Sequence, residues 1–301
     1  MRIGVMAGGA LQSAMRQIVE ADEAGFASAW LSHIRGADAL TVLALAGQQA
    51  QRIELGTFVI PTYPRHPSAL AQQALTMQAA TANRLTLGIG LSHRVSMEAQ
   101  LGFDWDHPIR HMREYLTCLN PLLAQQRAHF EGEEFILRGY EITIPGAEPP
   151  PVLVAALGPQ MLKLAGAMAH GTAIWMGGAT YIAEHVIPRI SAAASDAGRP
   201  APRIVAGLPI AVTERGDEVR AKAAQVFERY GQLPSYRAIL DREGAGTPAD
   251  VALIGSDGEV RAGLQALADA GVTDFAASVF TPTGVDPEPT WSLLREYAVR
   301  A

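Results

Sequence analysis

One cysteine in 301 residues leaves no partner for an intrachain disulfide and no thiolate set for a zinc site. That residue, Cys118, falls in a helical pattern with Tyr115, Leu116, Leu119, Leu122 and Leu123, which predicts a buried core thiol. The chain also lacks any Lys/Arg-rich run with interleaved aromatics, and its formal net charge is −6. Nothing in it attracts a polyanion, so no nucleic-acid partner is expected. No uninterrupted apolar stretch reaches bilayer-spanning length, and no signal-peptide pattern precedes the first strand, so a cytoplasmic protein without a membrane partner is expected. Fixed-period repeats, a phosphate-cradling loop ending in Gly-Lys-Ser/Thr and a Gly-x-Ser-x-Gly elbow are all missing. Nucleotide hydrolysis and serine acyl transfer therefore have no local support.

What is present is a repeated grammar of short apolar strand followed by amphipathic helix. Arg2–Ala7 reads as a strand, with Leu11, Met15, Ile18 and Val19 at helical spacing and Gly25 as a stop. Three more units follow: strand Phe26–Ser32 with helix Ala37–Gln51, strand Ile53–Ile60 with helix Pro67–Ala82, and strand Arg84–Gly90 with helix Pro108–Gln126. The second half gives strand Val152–Leu157 with helix Pro159–His170, strand Thr172–Met176 with helix Thr180–Ala197, and strand Ile204–Val212 with helix Asp217–Tyr230. A last strand, Asp274–Phe280, leads to a helix around Trp291–Val299. Eight alternating strands favour an α/β fold of the (β/α)8 TIM barrel type over an open doubly wound sheet. Residues 1–301 are then one barrel domain, interrupted by insertions near 128–151 and 231–252. Insertions of this kind in a compact domain serve as lids or binding loops. Ser256-Asp257-Gly258-Glu259 has capping-box spacing and is structural.

Barrel chemistry is carried at the C-terminal ends of the strands. Those ends read Ser32-His33, Ile60 to Tyr63, Leu91-Ser92-His93, Leu157-Gly158, Met176 to Gly178 and Ser278 to Phe280. With two histidines and no carboxylate cluster among them, no metal site is expected. Gly88-Ile89-Gly90 opens like a dinucleotide fingerprint, but its third glycine position is His93, so close strand packing is the better reading. Gly158-Pro159 places proline where a helix starts, leaving neighbouring amides and the helix dipole free to face an anion. Gly177-Gly178 repeats bare backbone on the next strand, and two adjacent loops of this kind point to a phosphorylated ligand. His33, just after a strand, suits a hydrogen-bond donor or general acid. His66 reads as a loop or cap residue, and His107 and His111 as structural or rim residues.

These residues resemble the bacterial-luciferase-like superfamily, in particular its branch of oxidoreductases using the deazaflavin coenzyme F420. The resemblance runs along nearly the whole chain and is strongest in Ile53 to Thr57, Pro61 to Pro67, Ala71 to Gln73, Asn83 to Gly90, Val154 to Pro159 and Ala169 to Thr172. It implies a luciferase-like barrel with the cofactor phosphate against Leu157, Gly158 and Gln160 on one loop and Trp175, Met176 and Gly177 on the next, Gly178 adding its amide. It also implies a bulge in the third strand, often with a cis peptide, at Phe58 and Val59 beneath the ring, with Ser32 beside the cofactor and His33 in the place of the catalytic histidine. There are departures. Several relatives have Asp where this chain has Ser32, some sugar-phosphate dehydrogenases have a glutamate acid about where His93 stands, and some relatives have Lys where Gly178 stands.

The activity this implies is hydride transfer between F420 and a small organic substrate, with His33 and possibly His93 moving the accompanying proton. FMN in a luciferase-like monooxygenase is the alternative cofactor and function, and a non-catalytic flavin-binding protein is a third reading. Relatives are commonly homodimers, and the apolar helix Ala69–Ala82 offers a surface for one.

Overall fold

The computed structural model describes residues 1–300. Eight parallel strands close on themselves: β1 Arg2–Ala7, β2 Ser28–Leu31, β3 Glu54–Thr57, β4 Leu85–Gly90, β5 Val152–Val154, β6 Gly171–Trp175, β7 Arg203–Val212 and β8 Asp274–Val279. Each pairs with its sequence neighbour, and β8 pairs with β1 through Arg2↔Asp274 to Val5↔Ala277, which closes the barrel. Between them run α1 Leu11–Glu23, α2 Ala39–Ala46, α3 Pro67–Ala80, α4 Pro108–Leu123, α5 Pro159–Met168, α6 Ile187–Asp196, α7 Gly216–Gln232, α8 Pro234–Glu243, α9 Asp257–Asp269 and α10 Glu288–Arg300. The expected barrel is the observed fold.

Local signals explain most boundaries. Pro sits at the first turn of α3, α4 and α5, where its missing N–H costs nothing. His66 caps α3 by accepting from the Ser68 amide at 3.3 Å, and Ser256 and Glu259 form the reciprocal capping box of α9. Cys118 is fully buried.

Three details add to the strand and helix count. Strand three breaks after Thr57 at a cis Phe58–Val59 bond, as the resemblance implies, and resumes as Ile60–Pro61 against β4. The first insertion forms a hairpin, Ala128–Glu131 with Ile136–Tyr140. The second, rich in glycine and proline in sequence, contains the helix α8, started by Pro234 and ended by Gly244 at φ 76°. It is followed by a short strand, Leu253–Gly255, that pairs with the end of β7. The apolar residues of α3, including Leu70, Ala71, Ala74 and Leu75, are buried within the chain itself. Among the described residues no helix is long and apolar enough to cross a membrane.

The barrel interior is filled from below. At the N-terminal ends of the strands, Arg2 bonds Glu54 at 2.6 Å and Asp274 at 2.8 Å, while Arg203 bonds Asp274 at 2.8 Å and Glu54 at 3.0 Å. Thr86 donates to Glu54 at 2.6 Å, so the charges close on one another. Above them lies Trp30, with no exposed surface, its Nε1 donating to Ser28 Oγ at 2.8 Å. A Cβ at Gly56 would overlap the Trp30 ring and one at Gly4 would overlap Ser28 Oγ, so glycine at both positions makes room for the indole.

Candidate active site

Above Trp30 the inward positions turn small: Gly88 and Gly90 on β4, Ala155 beyond β5, Ala173 on β6, Gly207 on β7 and Ala276 on β8. A Cβ at Gly88 would run into the Thr57 carbonyl and one at Gly90 would stand 2.7 Å from Val59, which is the close packing expected of that glycine pair. Phe58, Val59 and Trp175 supply the bulk. Phe58 meets Trp30 edge to face at 6.0 Å, and Phe58 and Trp175 both press on the position where a side chain at Gly207 would begin. Met6, Ser32, Val59, Ala155, Trp175 and Ser278 are partly exposed, whereas the inward residues beneath them are buried. The barrel therefore opens upward onto an apolar floor. Trp175 Nε1 is buried there without a hydrogen-bond partner.

His33 stands on the β2 side of the opening. Its Nδ1 accepts from the Ala39 amide at 3.2 Å and lies 3.6 Å from Asp38 Oδ2, while its Nε2 lies 3.3 Å from the Arg65 guanidinium. Arg65 in turn bonds Asp38 at 2.5 Å. Burial, then the Arg65 charge, push the imidazole pKa below its usual value, and Asp38 only partly opposes them. Asp38 thus sets a carboxylate beside the imidazole without offsetting burial and Arg65, so the neutral form of the ring is favoured. A neutral ring is a proton acceptor or a neutral donor, so the general-acid role expected from sequence narrows.

His93 belongs to a different cluster. It meets the edges of Tyr236 at 5.8 Å and Tyr230 at 6.4 Å, and Tyr230 also faces Trp175 at 6.2 Å. These tyrosines come from α8 and α7, which lie over the β4 and β6 side of the mouth. Burial and Arg229 lower the His93 pKa. No contact joins His93 to His33.

The two glycine loops lie side by side, tied by Tyr181 Oη donating to the Leu157 carbonyl at 2.6 Å. Gly158 caps α5 without a side-chain partner, and Gly158 and Gln160 are exposed. On the second loop Met176 adopts φ 59°, and Gly178 starts a continuous helical run, Ala179–Tyr181, the π-helical turns Ile182–Val186 and then α6. π-helical turns recur at functional sites. The first-turn amides of this run already hold an anion. Glu243, at the end of α8, accepts from the Tyr181 amide at 2.7 Å and the Thr180 amide at 3.3 Å. Of the other histidines, His111 is buried against Thr62 Oγ1 at 3.0 Å and stacked on Tyr63, a structural role, and His107 is an exposed helix start.

A tricyclic ring with a phosphate tail demands a flat apolar seat, a polar partner and backbone donors. The Phe58–Val59–Trp175 floor and the Gly158 and Gly178 helix starts meet the first and last of these demands, with Glu243 holding one anion position. Asp38, Arg65, Tyr230, Tyr236 and Glu243 were not among the residues expected from sequence. Arg65 stood inside the Pro61 to Pro67 stretch, and Pro234 with Tyr236, Ile239 and Leu240 at helical spacing marked α8.

Residues 2–288 match the family model described as luciferase-like monooxygenase. The chain is 26% identical over 267 residues to 5,10-methylenetetrahydromethanopterin reductase of Methanolobus tindarius, covering 88% of this chain and 80% of that protein. Its fold is similar to an F420-dependent secondary alcohol dehydrogenase in complex with an F420-acetone adduct, with TM-score 0.81, 19% identity, and 100% and 99% of the two chains covered. It is also similar to the oxygenating constituent of 3,6-diketocamphane monooxygenase of Pseudomonas putida in complex with FMN, with TM-score 0.75, 18% identity, and 98% and 96% covered. A match over this length, on a closed (β/α)8 barrel, makes the chain an enzyme of the luciferase-like monooxygenase family.

Proposed function

We propose that this enzyme transfers a hydride between coenzyme F420 and a small organic substrate. The observation that carries the reading is the pairing, at one barrel mouth, of an accessible apolar floor with backbone amides that already hold an anion. The likeness to F420-dependent relatives supports the deazaflavin over FMN. When bound, the deazaflavin supplies the hydride chemistry, and the protein supplies position and electrostatics.

Phe58, Val59 and Trp175 would seat one face of the ring. Ser32 borders the ring from β2. Leu157, Gly158 and Gln160 on one loop and Met176, Gly177 and Gly178 on the other direct their amides to the phosphate. His33 takes up or returns the proton that accompanies the hydride, and Arg65 beside it keeps the ring in its neutral form between turnovers. His93, under Tyr230 and Tyr236, borders the substrate on the opposite side. The enzyme works in this reading as a homodimer without metal or nucleic acid.

The test is direct. The purified protein is titrated with F420 and with FMN, then the reduced cofactor is mixed with a panel of enones, imines, ketones and aldehydes. Substrate-dependent reoxidation of F420 is expected. Preference for reduced FMN with oxygen consumption would make the enzyme a monooxygenase, and binding without reoxidation on any substrate would make it a non-catalytic flavin-binding protein.

A further inference from the structure

Glu243 is an unusual occupant of the anion site. It reaches the loop after β6 from α8, 62 residues away in sequence, and a Cβ at Gly178 would overlap its carboxyl carbon. Gly178, which stands where some relatives have a lysine, thus admits a carboxylate. Its hydrogen-bond partners are the Tyr181 amide at 2.7 Å and the Thr180 amide at 3.3 Å, and among the described residues it makes no ion pair. A cofactor phosphate is likewise an anion with at least two free acceptor oxygens, and the same amides cannot serve both anions at once.

The helix that ends in Glu243 buries Tyr236, Ile239 and Leu240 in the core, while the side-chain hydrogen bonds of its last turns stay within its own segment. Arg237 bonds Asp241 at 2.8 Å, the Gly246 carbonyl at 2.8 Å and the Ala245 carbonyl at 2.6 Å, all within the same segment. Gly244 turns the chain immediately after Glu243 with φ 76°. The same helix presents Tyr236 to His93 at 5.8 Å and to Tyr230 at 5.0 Å. One short element therefore touches both the anion site and the residue assigned to the substrate side.

Resting on the cofactor reading above, we propose that Glu243 is an internal competitor for the phosphate. Its carboxylate holds the Gly178 helix start in the free protein, a phosphorylated cofactor evicts it, and the exposed last turn of α8, from Asp241 to Gly244, is released while Tyr236, Ile239 and Leu240 stay in the core.

The experiment compares wild type, Glu243→Gln and Glu243→Ala. Each is titrated by fluorescence with F420 and FMN, and with the phosphate-free deazariboflavin and riboflavin that carry the same rings. Loss of the carboxylate charge should tighten the phosphorylated ligands by about tenfold, the worth of a hydrogen bond to a charged group, and leave the phosphate-free ligands unchanged. In parallel, limited trypsin digestion reads α8 at the exposed Arg242. Cleavage there should rise when F420 or FMN is added to wild type, not when riboflavin is added, and should be high in free Glu243→Ala. Equal affinities across the variants, or equal protection of Arg242 in free wild type and free Glu243→Ala, overturns the proposal. If no ring compound binds wild type, the cofactor reading fails by itself, and the digestion of the free proteins still decides whether Glu243 holds the last turn of α8.

Discussion

At the N-terminal end of the barrel, Arg2, Glu54, Thr86, Arg203 and Asp274 use up one another's charges and hydrogen bonds. At the C-terminal end, Trp175 Nε1 has no partner, Met176 and Ser92 hold left-handed backbone, and His33 is kept neutral between Asp38 and Arg65. The lower end is satisfied and has nothing left to offer a ligand. The upper end keeps donors, accessible apolar surface and irregular backbone, and these are what binding and proton transfer require. The contrast shows stability and chemistry assigned to opposite ends of the same strands, the expected division for this architecture.

The largest expected effect tests the upper end. His33→Ala should lower turnover by about 10²–10⁴-fold, the usual contribution of a placed acid or base, while the affinity for cofactor and the unfolding midpoint stay near wild type. Unchanged turnover would remove His33 from the chemistry. A companion, Arg65→Gln, removes the neighbouring cation and should move the acid limb of the kcat/KM profile toward higher pH, because the His33 pKa rises when that charge is lost.

Asp274→Ala probes the lower end. The carboxylate is buried and bonded to two arginines, so its loss should cost about 3–5 kcal/mol in urea unfolding, with turnover per folded molecule retained. A comparable loss of activity at full stability would erase the distinction between the two ends.

Gly56→Ala comes next. Its new methyl group would overlap the Trp30 ring, so overpacking should cost about 1–3 kcal/mol by thermal or chemical unfolding. A neutral result would mean that the indole has room to move.

Acid should then separate the ends by pH. Burial depresses the His111 pKa to about 4, so the folded protein resists the proton that the unfolded chain accepts at 6.5. Stability from this group is complete above pH 6.5 and drains away as pH falls toward 4, by about 1 kcal/mol after allowing for partial water access. The Asp274 carboxyl lies below its ordinary value because Arg203, Thr273 and Arg2 outweigh burial, so its contribution persists until pH drops under the normal carboxylate range. Hydrogen exchange at mildly acid pH should therefore loosen the Thr62–His111 contact before the Arg2–Asp274 contact, and His111→Gln should flatten the loss between pH 6.5 and 4.

Much of this arrangement was legible in sequence because it is local. Apolar runs of strand length, prolines at helix starts and the Gly158 and Gly177-Gly178 turns each announce themselves within a few residues. Gly88 and Gly90 were readable as close packing for the same reason. Glu243 was not, since its meaning depends on amides far away in the chain, and neither was the Asp38–Arg65 pair, separated by 27 residues. The α8 helix was hidden by composition: flanking glycines and prolines masked a helix whose Tyr236, Ile239 and Leu240 bury one face.

Two of the chain's four tryptophans, Trp30 and Trp175, follow the same division, and this gives the enzyme its own optical gauges. Trp30 is dry and bonded only within the barrel, so its emission should stay blue and respond only when the whole fold opens. Trp175, at the rim, should dim whenever a chromophore settles over it. Two indoles stacked along one axis, one blind to the solvent and one at the doorway, let a single spectrum tell unfolding from occupancy.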